Sequence, residues 1–176
     1  MHSNGLTLAR KVLLGDSFDE QKSRVNDYEE FLGQTLGEAL LKPTRIYVQP
    51  IIEMLDKGID LKAMVHITSG GFCNLNRVAC NNIRFVIDTL QPVPEIFNLI
   101  QDRGGVSEAE MFEVFNMGTG FCLVVEGFKE VEAITEICKQ HDLPCQVIGQ
   151  VEASQGKEVS LPTKQLIGKG SKFTVS

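Results

Sequence analysis

The 176 residues, 43% hydrophobic and 23% charged, suit one compact domain with ample material for a core. A net charge of -6 excludes non-specific nucleic-acid or anionic-membrane binding, which needs a concentrated excess of Lys and Arg. No apolar run approaches the roughly 20 residues of a membrane span, and the first residues lack a leader pattern, so a cytoplasmic protein is expected.

Asn4 and Gly5 precede LTLARKVLLG, in which Leu6, Ala9, Val12 and Leu13 share one helical face before Gly15; a first helix is predicted there. Residues 16 to 35 are polar and acidic without clear periodicity, and a mobile excursion or a short helix is expected. Thr35 with Glu38 forms a capping box ahead of a helix stopped by Pro43, and PIIEMLDKG reads as a helix opened by Pro50 and closed by Gly58. LKAMVHIT alternates as a strand. Leu61, Ala63, Val65 and Ile67 point one way, Lys62, Met64, His66 and Thr68 the other, and Met64 suggests a sheet covered on both sides.

After Gly70 and Gly71, the residues Phe72, Leu75 and Val78 mark one face of a helix, and IRFVIDTL reads as a strand. PVPEIFNLIQDRG predicts a helix ending near Gly104, and a second capping box, Ser107 with Glu110, opens EAEMFEVF. FCLVVEG, KEVEAITEICKQHD and CQVIGQVEA read as a strand, helix, strand unit with Val131, Ile134, Ile137 and Cys138 facing the sheet, half of a ferredoxin-like sandwich. From Gly156 onward a terminal strand and a loose end are expected.

The stretch VHITSGGFCNLNR runs from a strand through two glycines into a helix. Such a junction cradles phosphate on open N–H groups and a helix dipole, or is simply a tight turn needing positive φ. It lacks the patterns of a P-loop or a dinucleotide fold. NMGTG, Asn116 to Gly120, has the same two readings, since an αL helix stop also uses glycine. His2, Ser3 and Asn4 crowd polar groups at a helix mouth, where an anionic or amide-bearing ligand fits. His66 is either a packed strand residue or a catalyst, and His141 is accounted for by a helix C-terminus. Arg45, in a rigid turn after Pro43, suits a bidentate phosphate or carboxylate, or an ion pair with a neighbouring acid. Cys73, Cys80, Cys122, Cys138 and Cys145 are odd in number, never form CxxC and lie in apolar segments; reduced core thiols are expected, with no metal site. Neither a Ser, His and acid triad nor paired carboxylates stand out.

Taken together, HSNGLTLARKVL, LLKPTRIYV, VHITSGGFCNLNRV, VIDTLQPVPEIFNLIQDRGGVSEAEMFEVFNMGTGFCLVV and CQVIGQV resemble, in order and spacing, the C-terminal half of the phosphoribosylformylglycinamidine cyclo-ligase (aminoimidazole ribonucleotide synthetase) family. The match covers nearly all of residues 1–176 as a single domain. HSNG alone is also found in selenophosphate synthetases, and those enzymes, thiamine monophosphate kinases and a non-catalytic binding module are the alternatives.

The resemblance implies an α/β fold, a three-layer α/β/α sandwich around a mixed sheet, partly ferredoxin-like. It implies a ligase of purine biosynthesis in which ATP activates the amide oxygen of formylglycinamidine ribonucleotide as an iminophosphate, before an internal nitrogen displaces phosphate and closes the imidazole ring. His2 and Asn4 match the family's catalytic element. Ser3, Thr68, Gly70, Gly71, Asn116, Met117, Gly118 and Gly120 match the elements that bind substrate and phosphate. ATP and Mg2+ are implied to sit mainly on an N-terminal half that these residues do not include, and the full-length family enzyme is a homodimer. The expected partners are a nucleotide, a ribonucleotide substrate and that missing half, in cis or in trans. The chain alone is expected to be inactive, as a fragment or one piece of a split enzyme. Ser69 stands where the family usually has glycine, and NLNRVACNN after it also departs.

Overall fold

The computed structural model describes residues 4–175. Helix α1 (Leu6–Leu14) forms as its periodicity predicts and stops at Gly15, whose φ of 106° admits no ordinary side chain comfortably. The acidic segment that follows is ordered. Ser17 and Glu20 make a reciprocal capping box that starts α2 (Phe18–Arg24), and a hairpin pairs β1 (Tyr28–Glu29) with β2 (Gln34–Thr35). The capping box of Thr35 and Glu38 then opens α3 (Leu36–Leu41). Helix α4 (Val48–Asp56) starts two residues ahead of Pro50.

Strand β3 (Ala63–His66) leads into a 3-10 turn, Gly71–Arg77, where the sequence suggested an ordinary helix. The remaining elements are β4 (Ile83–Ile87), α5 (Glu95–Gly104), α6 (Glu108–Val114), β5 (Phe121–Val124), α7 (Phe128–Gln140), β6 (Gly149–Ala153), β7 (Lys157–Leu161), β8 (Leu166–Lys169) and β9 (Lys172–Val175). At α6 the Ser107 hydroxyl accepts from the Glu110 N–H as predicted.

The fold is α/β, with helices around a mixed sheet. Strands run in the order β6-β4-β7-β8-β9; β4 pairs antiparallel with β6 and parallel with β7. Strands β3 and β5 form a separate antiparallel pair, with Val65 opposite Cys122 and His66 opposite Phe121. Two details therefore differ from the sequence reading. Strands β5 and β6, expected as neighbours through α7, lie in different sheets, and beyond the expected terminal strand, β7, the supposed loose end contributes β8 and β9.

The main core gathers Ala9 and Leu13 of α1, Ile67, Phe72 of the turn, Phe97 of α5, Phe112 of α6, and Val159 and Leu161 of β7. A second, smaller cluster joins Met54 of α4 to Ile134, Ile137 and Cys138 of α7. Val65 is buried, but Met64 is 47% exposed and His66 is exposed, so the outer face of β3 lacks the apolar cover expected for it. No helix among the described residues is long and apolar enough to cross a membrane.

Candidate functional site

The turn after β3 is built on left-handed backbone that glycine adopts most readily. Gly70 has φ of 100° and Gly71 of 51°, and the Gly71 N–H donates to Thr68 O at 2.8 Å. A Cβ on Gly71 would fall 1.7 Å from the Phe112 carbonyl oxygen, whereas one on Gly70 would meet nothing nearer than Asn74 Oδ1 at 3.5 Å. Packing against α6 thus demands Gly71. Space remains beside Gly70. Ser69 is not among the residues of positive φ, so its side chain is accommodated without left-handed backbone.

Asn74, 1% exposed, locks the turn by donating from Nδ2 to Gly71 O at 2.7 Å and to Thr68 O at 3.2 Å. Two carbonyl acceptors fix that amide's orientation, and they leave its buried Oδ1 without a partner. Arg77 reaches back from the end of the turn to Ser69 O at 3.4 Å.

The loop 116–120 is held differently. Asn116, 3% exposed, accepts the Gly118 N–H on Oδ1 at 3.4 Å and the Thr119 N–H on its carbonyl at 2.8 Å, an Asx turn that stabilises the positive φ of Met117 and Gly118. A Cβ on Gly118 would lie 2.9 Å from Pro94 Cδ. The Ile67 N–H donates to Gly120 O at 2.9 Å, which ties this loop to the strand that carries the glycine turn. Met117 packs into the main core.

A third element joins them. Asn4 Nδ2 donates to Val114 O at 3.4 Å, and a Cβ on Gly5 would lie 2.2 Å from the Phe115 ring. Residues near positions 4, 70 and 118, distant in sequence, therefore meet around the end of α6. His2 and Ser3 lie outside the described residues.

Beside this junction is a cavity of about 440 Å³. Its lining includes Lys42, Arg45, Gln91, Asn116, Gly118 and Thr119. Arg45 Nη1 donates to the Asp142 carbonyl at 3.1 Å, and no carboxylate among the described residues pairs with it. Thr119 is 6% exposed and its Oγ1 has no hydrogen-bond partner. One wall is aromatic: Tyr47 and Phe121 lie with ring centroids 5.1 Å apart, and the His66 ring stacks on Phe121 at 5.8 Å. Burial pushes the Tyr47 hydroxyl pKa up, keeping it a neutral donor and acceptor.

The predicted residues separate cleanly. Asn116, Gly118 and Gly120 line the cavity with Arg45; Thr68, Gly70 and Gly71 do not line it, and lie across the Ile67 to Gly120 bond from it. His66 sits on the exposed face against Phe121. His141 does not line the cavity, and its Nε2 lies 2.8 Å from Glu53 Oε2. Hydrogen bonds from Lys57 and then His141 hold the Glu53 carboxyl below its ordinary pKa. Lys42, Gln91 and Thr119 were not singled out from sequence. The two prolines after Gln91, expected within the helix, instead precede α5, which begins at Glu95.

Among the described residues no cluster of three or more His, Cys, Asp or Glu side chains is placed to hold a metal ion. The thiols are free, but only Cys73, Cys122 and Cys138 are buried, while Cys80 and Cys145 are exposed, so two of the five are not the core residues expected.

Comparison with known proteins gives this arrangement a context. A protein named phosphoribosylformylglycinamidine cyclo-ligase from Methanococcus maripaludis strain C6 is 45% identical over 154 residues, covering 88% of this chain and 42% of that protein. One of the same name from Methanocaldococcus jannaschii is 45% identical over 153 residues, 86% and 41% of the two chains. A third, from Carboxydothermus hydrogenoformans, is 41% identical over 160 residues, 90% and 45%. The chain thus spans less than half the length of these relatives. Residues 1–162 match the family described as AIR synthase related protein, C-terminal domain, and the chain belongs to that family.

Proposed function

We propose that this chain supplies the substrate-facing half of an ATP-dependent cyclo-ligase site of purine biosynthesis, one that converts formylglycinamidine ribonucleotide to aminoimidazole ribonucleotide, ADP and phosphate. The observation that carries the reading is the convergence of Asn4, the Gly70 turn and the loop 116–120 around Phe115, next to a cavity holding Lys42 and Arg45.

In this reading Arg45 and Lys42 attract a phosphate group, with Arg45 able to offer two parallel N–H donors. The Asn116 loop shapes the cavity around it, and the unpartnered Thr119 hydroxyl supplies a hydrogen bond that burial has left unused. The aromatic wall of Tyr47 and Phe121 offers a flat apolar surface to a planar ring. Asn4, with His2 and Ser3, orients the amide whose oxygen is activated. The Gly70 side of the turn receives phosphate, while the Gly71 N–H is already committed to Thr68 O. No carboxylate cluster among the described residues suits Mg2+, so Mg2+ and most of ATP are assigned to the remaining half, contributed in cis or in trans, and the homodimer of the whole enzyme to that half as well. ATP supplies the phosphoryl group that turns the amide oxygen into a leaving group; this chain's residues hold the substrate for the internal attack and exclude water.

The test is a ring-closure assay of this chain alone, and of this chain mixed with the N-terminal half of a relative such as the Methanocaldococcus jannaschii protein. The reading predicts turnover only in the mixture. Turnover by the chain alone would sink the half-site idea, and no turnover in a mixture that forms a stable complex would sink the assignment to this reaction.

A further inference from the structure

Helix α4 carries more apolar surface than this chain covers. Pro50 and Met54 are buried, and Met54 and Ile51 pack with Ile134 and Ile137 of α7. Beside that flank runs a second stripe, Val48, Ile52 and Leu55, at least half exposed at every position. At 3.6 residues per turn the two flanks together span roughly 200° of the helix, whereas a surface helix needs only about 100° facing its core. The polar remainder is Gln49, Glu53 and Asp56, and Glu53 is taken up by Lys57 and His141. Helix α4 is thus shaped to lie between two partners, of which α7 is one.

The uncovered stripe runs into the rim of the cavity. Ile46 is exposed between Arg45 and Tyr47, which line it, and Leu41 is exposed just before the lining residue Lys42. Phe31 lines the cavity and is itself largely exposed. Contiguous apolar surface at the mouth of a polar cavity marks a place where another surface closes over it.

We propose that Ile46, Val48, Ile52 and Leu55, with Phe31 and Leu41 at the rim, are the surface on which the other half of the ligase site docks. The proposal rests on the half-site reading above and adds the place where the halves meet. More than half of each relative's length lies outside the stretch matched by this chain, ample to cover α4 and the mouth together. Charge favours that occupant over a second copy. The cavity carries Lys42 and Arg45 against Glu95, and Arg45 spends its hydrogen bond on a carbonyl. A second copy would bring the same cations to the rim, whereas the half that holds ATP brings phosphate to them. Docking there also shuts water out of the cavity.

The experiment measures the affinity of the full chain for the N-terminal half of the Methanocaldococcus jannaschii relative by calorimetry, with hydrogen exchange on the complex. Exchange should slow at residues 46–56 on binding. Ile52→Lys and Leu55→Lys should each weaken the complex about thirtyfold or more without lowering the unfolding temperature, because both side chains are half in solvent. Val175→Lys, at an exposed valine on the edge strand β9, should leave affinity unchanged. A complex that depends on the stripe supports the surface even if the mixture closes no ring, an outcome that would sink the reaction alone. Ring closure in a mixture indifferent to both stripe variants would overturn the surface and leave the reaction standing. No measurable binding by the native chain, or a homodimer of the chain alone that Ile52→Lys dissolves, would also overturn it, the latter by giving the stripe to a second copy.

Discussion

The two glycine elements of the site, the turn at 68–71 and the loop at 116–120, look alike in sequence and are joined by one hydrogen bond, yet crowding weighs on them differently. The turn is locked by the Asn74 amide and crowded by backbone, because a Cβ on Gly71 would fall 1.7 Å from the Phe112 carbonyl oxygen. The loop rests on its own polar bonds, in which Asn116 accepts the N–H groups of Gly118 and Thr119, and a Cβ on Gly118 would first meet a proline side chain, at 2.9 Å. Crowding consumes the Gly71 position for architecture, whereas a self-bonded loop keeps a face turned to the cavity. A glycine motif therefore carries two kinds of information, and only the neighbouring atoms separate them.

Both elements lean on Phe115, which is fully buried against Phe97 and Gly5. Replacing it is the harshest way to break the comparison. Phe115→Ala should cost about 3–5 kcal/mol of stability, read from urea unfolding, and should disorder turn and loop together. A variant that loses only one of them would show that they are independent.

The next effect separates the two glycines of the turn. Gly71→Ala faces a backbone oxygen at 1.7 Å and positive φ, and should cost about 3 kcal/mol. Gly70→Ala meets no atom within 3.4 Å and should cost only about 1–2 kcal/mol of backbone strain. Equal costs in thermal or urea unfolding would remove the distinction between a crowded and an open glycine.

On the cavity side, Arg45 is exposed and its one hydrogen bond among the described residues goes to a carbonyl. Arg45→Gln should leave stability within about 0.5 kcal/mol while weakening binding of ribose 5-phosphate about tenfold, measured by calorimetry. Unchanged binding would place the phosphate elsewhere.

The smallest effect lies away from both elements and serves as a control. Burial pushes the Glu158 carboxyl up, but hydrogen bonds from Arg84 at 2.5 Å and from Lys169 outweigh it and hold the group below its ordinary pKa. A carboxylate with a lowered folded pKa stabilises the fold above its unfolded value of about 4.3 and loses that contribution as pH falls. The stability difference between the native chain and Glu158→Gln should therefore shrink between about pH 5 and pH 3, with ribose 5-phosphate binding unaffected at neutral pH.

Local chemistry made much of this legible. The box at Thr35, the N-cap half of the box read at Ser107, the glycine stop at Gly15 and the alternation through Val65 act within a few residues, and each element formed where those signals stood. The 3-10 turn departed because Asn74 spends its amide on the Gly71 and Thr68 carbonyls beside it and Asn76 on the distant Gly168 and Gly170 carbonyls at 3.2 Å, and such side-chain bonds compete with a regular helix. The strand expected after Gly156 formed as β7, but its parallel pairing with β4, more than 70 residues earlier, leaves no local mark, and β8 and β9, four residues each, are too short to show a periodicity. At the site, the glycines and Arg45 were visible as residue types; the proximity of Lys42, Gln91 and Thr119 arises only from folding.

The central claim is that the loop 116–120 and Arg45 form the seat of a phosphorylated ribose. It is tested most directly by backbone amide chemical-shift mapping of the chain with ribose 5-phosphate. The account predicts shifts concentrated at residues 45–47 and 116–121. Shifts centred instead on the cationic patch of Arg84, Lys157 and Lys169, or no saturable shifts in the loop, would contradict it.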